Sequence, residues 1–105
     1  MLLDYILENK NEILDIFDKY GSSNVVIIGS VSRRDEIDGS DIDFVADLKK
    51  NENIPEELDV QAYTDLVKEL SRYFNRKVEL ASYEQIRKGF PVALSYGIYL
   101  ERSSV

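Results

Sequence analysis

The sequence predicts an α/β (α+β) fold in which a small mixed β-sheet is flanked by helices. Three short segments with strand patterns alternate with segments whose apolar residues recur every three or four positions. Such alternation is typical of a sheet layer covered by helices. The chain has 105 residues, of which 44% are hydrophobic, so we expect one domain over residues 1–105 with one modest core.

Two segments have the apolar spacing of amphipathic helices. In the first, apolar residues occupy one side of residues 3–17. Lys10 lies inside this apolar stripe, so either its stem snorkels or the helix loosens around Asn9 and Asn11; we favour snorkelling. The second helix is predicted over residues 63–74, where apolar residues follow i, i+3, i+4, i+7 spacing.

Three segments are predicted to be strands. Val25–Ile28 is a continuous β-branched run, which favours a strand buried on both faces. Ile42–Ala46 follows a Gly-Ser turn and predicts the second strand, while Lys77–Leu80 alternates as the third. Asn51–Pro55 is predicted to be a loop.

The last part of the chain is predicted to be helical. Ser82, followed three residues later by Gln85, has the spacing of a capping box that starts a helix. The apolar and aromatic residues of 90–100 predict a further helix after Pro91, with Gly97 as its weak point.

Composition excludes several kinds of function. The chain has no cysteine and no histidine, which excludes disulfides, thiolate or imidazole metal sites and every Ser-His or Cys-His catalytic arrangement. A net charge of −7 and a pI near 4.5 argue against stable binding of free nucleic acid. No apolar run approaches the roughly 20 residues of a membrane span, and no signal peptide is evident, so we expect a cytoplasmic protein.

Asp41 and Asp43 form the first candidate functional feature. They are two positions apart on a predicted strand, so both carboxylates should leave the same face of the sheet. Two like charges at this distance favour a cation between them, and carboxylate oxygens suit Mg²⁺. The alternative is a solvated strand end without ligands.

A turn and a third carboxylate extend this site. Gly29-Ser30 closes a buried strand and offers backbone N–H groups and a hydroxyl to a phosphate, although such a pair is often only a turn. Glu79 should point away from the core-facing Val78 and Leu80, towards the face of the two aspartates. The alternative for Glu79 is an ordinary exposed strand residue. A phosphate-binding turn facing a metal-binding pair indicates phosphoryl or nucleotidyl transfer.

The pattern G-S-x-x-R, at residues 29–33, followed by S-D-x-D, at residues 40–43, resembles the signature of the DNA polymerase β-like nucleotidyltransferase superfamily. The length and element order resemble its minimal nucleotidyltransferase branch, whose members are commonly antitoxins of HEPN-type ribonuclease toxins. The resemblance implies transfer of AMP from ATP to a tyrosine hydroxyl of the partner toxin. It leaves open whether the protein forms homo-oligomers or hetero-oligomers.

The resemblance also implies a role for each motif residue. Asp41, Asp43 and Glu79 would be catalytic and bind two Mg²⁺ ions, with Glu79 also activating the acceptor hydroxyl. The nucleotide would be bound by Gly29, Ser30, Arg33 and Ser40. Arg33 has an alternative as a surface arginine beside acidic residues. At positions 34 and 79 the family usually has glycine and aspartate, whereas this chain has Arg34 and Glu79.

A second hypothesis is a binding module with weak or no catalytic activity that neutralises its partner by covering it. The aromatic residues Phe90, Tyr96 and Tyr99 would then form a docking surface. The alternative for this stretch is a final helix packed on the protein's own core.

Overall fold

A computed structural model describes residues 2–35 and 39–103 of the chain. Glu36–Asp38, within the polar stretch between the first two predicted strands, lie outside the described residues. The elements in chain order are α1 Leu2–Glu8, α2 Lys10–Lys19, β1 Ser23–Ile28, α3 Gly29–Ser32, β2 Ile42–Asp47, α4 Val60–Phe74, β3 Val78–Ser82, α5 Tyr83–Gly89, α6 Val92–Ser95 and β4 Ile98–Tyr99. No helix of these two ranges is long and apolar enough to cross a membrane.

The four strands form one mixed sheet in the order β3-β2-β1-β4. β1 pairs antiparallel with both β2 and β4, whereas β2 and β3 are parallel and are connected through α4. The predicted fold class, a small mixed sheet flanked by helices, is therefore confirmed. Because β1 and β2 run in opposite directions, the end of β1 lies beside the start of β2.

One face of the sheet carries the main core, and Phe44 is at its centre. The ring of Phe44 packs edge-on against Phe17 of α2, with 5.4 Å between ring centroids, and lies 6.0 Å from the ring of Phe74 in α4. The Tyr63 hydroxyl donates a hydrogen bond to the Leu80 carbonyl oxygen, which ties α4 to β3. Helices α1, α2 and α4 thus contribute to the core on this face.

The opposite face is covered at one end only. Alternation places Val26, Val45 and Ala81 on this face, and the first two are fully buried. Helices α5 and α6 pack here, with Ala93 of α6 1% exposed. The row of Ile28, Asp43 and Glu79, at the end of β1, is left partly open.

The first helix is divided in two, contrary to the favoured interpretation of Lys10. α1 ends at Glu8 and α2 begins at Lys10, with Asn9 in the N-cap position of α2. The Asn9 side-chain amide donates to the Tyr5 carbonyl oxygen at 2.9 Å, so it satisfies an acceptor at the end of α1. The break at Asn9 agrees with the loosening alternative, and the Asn9 N–H still donates to the same Tyr5 carbonyl oxygen at 3.1 Å.

The predicted helix over residues 90–100 is wrong for most of its length. Only Val92–Ser95 is helical, and Ile98–Tyr99 instead forms β4 beside β1. Gly97 allows this change of direction, since a Cβ at this position would lie 2.6 Å from Cγ1 of Val26. The chain therefore passes too close to β1 at this point for a larger residue.

The other sequence predictions need smaller corrections. β2 begins at Ile42, so Asp41 lies just before the strand rather than in it. α5 begins after Ser82 as predicted, but the Ser82 side chain makes no capping hydrogen bond. The start of α5 was therefore predicted correctly for a reason that the structure does not support.

We expect Gly97→Ala to lower the free energy of unfolding by about 1–3 kcal/mol, because Val26 is buried and stiff and cannot move away from the new methyl group. Urea denaturation measures this change. Gly89→Ala is the matched control: a Cβ there meets no described atom within 4 Å, and alanine favours the helix. Equal destabilisation by both substitutions would contradict the close approach of β4 to β1.

Candidate active site

One row of residues across three strands forms the centre of the candidate site. Ile28 of β1 is the register partner of Asp43 in β2, and Asp43 is the partner of Glu79 in β3. All three lie on the open face, opposite the core residues Phe44 and Leu80. The predicted placement of Glu79 beside Asp43 is therefore confirmed.

Asp43 is the electrostatically perturbed member of this row. Partial burial, followed by a hydrogen bond to the Glu79 carboxyl and repulsion from Glu79 and Asp41, raises the pKa of Asp43 to about 6. Arg33 acts in the opposite direction and lowers this pKa. Asp43 and Glu79 therefore repel each other when both are ionised, and a cation between them would relieve this repulsion.

Lys77 places a positive charge among the same carboxylates. Its Nζ lies 3.4 Å from Oε1 of Glu79 and 3.8 Å from Oδ2 of Asp41. The Lys77 side chain is 69% exposed, so solvent screens these two ion pairs. The lysine is therefore a weak counter-ion to Asp41 and Glu79.

Gly29 brings the turn after β1 directly against Asp43. Its φ is +74°, and a Cβ on Gly29 would lie 2.5 Å from Oδ2 of Asp43. Glycine is required here for two reasons, since other residues disfavour this φ and have no room beside the carboxylate. The turn and Asp43 are thus in contact, as the spacing of the motif predicts.

Ser30 follows Gly29 in the single turn of α3. The Gly29 carbonyl oxygen accepts hydrogen bonds from the Ser32 hydroxyl at 2.8 Å and the Arg33 N–H at 3.3 Å. These bonds close the turn, and the first N–H groups of any helix have no acceptor within it.

The Ser40 carbonyl oxygen accepts a hydrogen bond from Arg76 Nη1 at 3.1 Å.

Arg33 is held by two neighbours. Its guanidinium lies 5.1 Å from the centre of the Tyr96 ring, and its Nε is 3.3 Å from Oδ2 of Asp35. The ion pair with Asp35 agrees with the interpretation of Arg33 as a surface arginine. Arg33 also lowers the pKa of Asp43, so its positive charge lies near the acidic row. Tyr96 therefore contributes to the surroundings of the site from the C-terminal segment.

Arg34 points to a different part of the molecule. Its Nη2 lies 3.0 Å from Oδ1 of Asp4 in α1. The φ of Arg34 is +60°, in the left-handed region that favours glycine. The conformation expected of a glycine is thus kept here by an arginine.

The donor set suits a hard cation such as Mg²⁺, which binds one or two protein carboxylates and retains several waters. Asp43 and Glu79 are adjacent and share a hydrogen bond, so two ligands are already together. Over residues 2–35 and 39–103, however, no three acidic residues are grouped closely enough to hold a metal ion. Asp41 would have to move closer to act as a third ligand.

Sequence reasoning missed Ile86 beside this site, assigned Tyr96 to a docking surface instead, and placed Lys77 beside Glu79 without a role in the site. Lys77 shares the period-two alternation of Glu79, so the strand pattern could have placed it on the same face. Tyr96 and Ile86 reach the site through α5 and the segment after α6, and no local pattern indicates where these elements pack.

Comparison with known proteins gives one family and several similar structures. A sequence model of the family described as "Polymerase beta, Nucleotidyltransferase" matches residues 11–97. A comparison with curated proteins gave no significant match.

The similar structures share the fold at low sequence identity. A toxin-antitoxin crystal structure with AMP-PNP has a TM-score of 0.65 at 22% identity, over 91% of this chain and 75% of its own. A structure named as a minimal nucleotidyltransferase has a TM-score of 0.70 at 17% identity, over 91% and 93%. The third contains a tri-AMPylated Shewanella oneidensis HEPN toxin in complex with MNT antitoxin, with a TM-score of 0.57 at 21% identity, over 90% and 71%.

We expect Gly29→Ala to destabilise the protein more than Gly39→Ala, measured by urea denaturation. Both glycines have positive φ, so both substitutions carry a backbone cost of about 1–2 kcal/mol. Only Gly29 adds a contact with Asp43, since no described atom lies within 4 Å of a Cβ on Gly39.

The excess cost of Gly29→Ala should decrease in an Asp43→Ala background, with a coupling energy of about 0.5–3 kcal/mol. Strict additivity of the two substitutions would contradict direct contact between the turn and Asp43.

We expect Asp43→Asn to raise the free energy of unfolding at pH 8 by about 1–2 kcal/mol, an amount reduced by partial solvent exposure. The pKa of Asp43 is about 6 in the folded protein, whereas the ordinary value of 3.8 applies to the unfolded chain. This group therefore makes the wild type less stable as pH rises through that window.

Thermal melts of both proteins at pH 4 and pH 8 measure the effect, and the difference between them should be largest at pH 8. Glu52→Gln, in an exposed loop, is the control and should show no such dependence. Destabilisation by Asp43→Asn at pH 8 would mean that this carboxylate has a structural role.

Proposed function

The chain belongs to the polymerase beta nucleotidyltransferase family, and from this premise we propose that it transfers AMP from ATP to a tyrosine hydroxyl of a partner HEPN-type toxin, with Mg²⁺. The protein would thereby act as an antitoxin. The observation that carries the proposal is the contact of the Gly29 turn with Asp43, beside Glu79, on the open face of the sheet.

Asp43 and Glu79 would hold Mg²⁺, joined by Asp41. Bound there, the metal would neutralise charge on the phosphates of ATP and on the two carboxylates. The family resemblance implies two ions, and a second would need Asp41 as a ligand. The raised pKa of Asp43 supports this assignment, because a carboxylate pair without a cation resists ionisation.

The residues around the acidic row have separable roles in the transfer. Backbone N–H groups at Gly29 and Ser30 would bind the triphosphate, with Arg33 and Ser40 beside it. The acceptor oxygen forms a bond to the α-phosphorus, and the bond from that phosphorus to the bridging oxygen breaks. Pyrophosphate leaves with the electron pair, and the hydroxyl proton passes to Glu79.

The partner assignment draws on the similar structures and on the surface of this chain. One similar structure holds a HEPN toxin carrying AMP groups together with an MNT antitoxin. Here the exposed apolar residues Phe90, Val92 and Tyr99 lie in the segment around α6, and each exposes more than half of its surface. They would form the docking surface for the toxin.

We expect labelled AMP to be transferred to the toxin encoded beside this gene when ATP and Mg²⁺ are supplied. Glu79→Gln should lower the single-turnover rate at least tenfold, because it removes the proton acceptor and a metal ligand. Glu79→Asp tests the length of the side chain. A change of the single-turnover rate in either direction would support a catalytic role for Glu79. Glu84→Gln, on the exposed surface of α5, is the control and should leave the rate unchanged.

A second candidate function is neutralisation of the toxin by binding alone. The exposed side chains of Phe90 and Tyr99 would be sufficient for it, since binding alone needs a docking surface and no metal site, and no three acidic residues of the described ranges are grouped to hold a metal ion. Toxin neutralisation without transfer by the wild type, together with equal behaviour of the Glu79 variants, would establish this binding role in place of catalysis.

A further inference from the structure

A small cavity lies on the open face of the sheet, between the acidic row and α5. Its volume is about 280 Å³, and its walls include Ile28, Asp43, Glu79, Ala81 and Ile86. We name it the Ile86 slot. Asp43 and Glu79 lie on one side of it, while the isoleucines and Ala81 give it apolar walls.

We propose that the Ile86 slot binds the phenol ring of the acceptor tyrosine, with its hydroxyl group directed at Asp43 and Glu79. This inference rests on the proposed function and adds a location for its acceptor. It also makes Ile86 a residue that determines specificity for an aromatic hydroxyl.

The size of the slot argues for a single ring. Pockets for small molecules usually enclose about 300–1,000 Å³, so a cavity of about 280 Å³ lies just below this range and has room for one ring. One planar ring of a protein side chain buries a large apolar area at low cost in conformational entropy. A single aromatic side chain therefore suits the slot better than ATP does.

The charge of the slot argues against a phosphate that binds without a cation. Asp43 and Glu79 contribute two acidic groups to its wall, so a phosphate would bind beside them only together with the proposed Mg²⁺. A phenol is neutral, and its O–H can donate a hydrogen bond to a carboxylate. The apolar walls thus match the ring of a tyrosine, and the two carboxylates match its hydroxyl group.

The position of the slot relative to the turn agrees with the geometry of the reaction. In-line transfer places the attacking and leaving oxygens on opposite sides of the phosphorus. The Gly29 turn contacts Asp43 at the end of β1, and the slot extends from Ile28, next to that turn, past Asp43 to Glu79 and Ile86. An acceptor in the slot and a triphosphate at the turn would therefore both lie beside Asp43.

A binding measurement tests the slot independently of catalysis. N-acetyl-tyrosinamide is titrated into protein labelled at isoleucine methyl groups, without ATP. We expect the Ile28 and Ile86 signals to shift, the signal of the buried Ile13 to stay unchanged, and N-acetyl-phenylalaninamide to cause smaller shifts. Unchanged Ile28 and Ile86 signals with the tyrosine probe would overturn the proposal.

A kinetic measurement then tests its use by the toxin. Ile86→Trp fills the slot and should lower AMP transfer at least tenfold, with ATP and toxin affinities within twofold of the wild type. Gln85→Trp places the same ring at the neighbouring exposed position of α5 and should leave the rate unchanged.

The outcomes separate the two hypotheses. A tenfold loss of ATP affinity in Ile86→Trp would assign the slot to the nucleotide base, and loss of toxin binding would assign it to docking; either result overturns the proposal. Unchanged transfer by Ile86→Trp also overturns it. Absence of transfer by the wild type would instead refute the proposed function, and the isoleucine titration would still decide whether the slot binds a phenol.

Discussion

The burial of Phe44 against Phe17 and Phe74 is the constraint on which the rest of the site depends. With this ring in the main core, alternation forces Asp43 onto the opposite face. A shift of β2 by one residue would bury the carboxylate and expose the ring, so the aromatic cluster specifies the register very strongly. The pairing of Asp43 with Ile28 and Glu79 then follows from the ladders on either side of β2.

The fold supports the acidic row without stabilising its charge. The desolvation and repulsion at Asp43 are costs to the folded protein, and they are offset by packing on the other face. Lys77 relieves some of this repulsion from outside the strand pair, but an exposed ammonium group is worth little in water. Perturbed carboxylates cluster at functional sites, which agrees with the proposal that a cation binds beside Asp43.

The sequence was sufficient for the parts of the structure that depend on local patterns. Alternation placed Asp43 and Glu79 on one face, and the Gly29-Ser30 turn was found beside them as its spacing indicates. It was insufficient where packing decides the conformation. β4 exists because the segment after Gly97 finds an open edge at β1, and nothing within residues 90–100 shows that this edge is available. The position of Ile86 could not be predicted for the same reason, since contacts with residues distant in sequence place its helix, α5.

The position of β4 beside β1 also has a consequence for synthesis of the protein. Ile98 pairs with Ile27, about 70 residues earlier, so this ladder closes a long loop and forms slowly. Until the ribosome has released residues 98–100, one edge of β1 exposes unpaired backbone groups of an apolar strand. A nascent chain is therefore vulnerable to aggregation and proteolysis through that edge, and ribosomal stalling shortly before Gly97 would yield a fragment lacking the protection of β4.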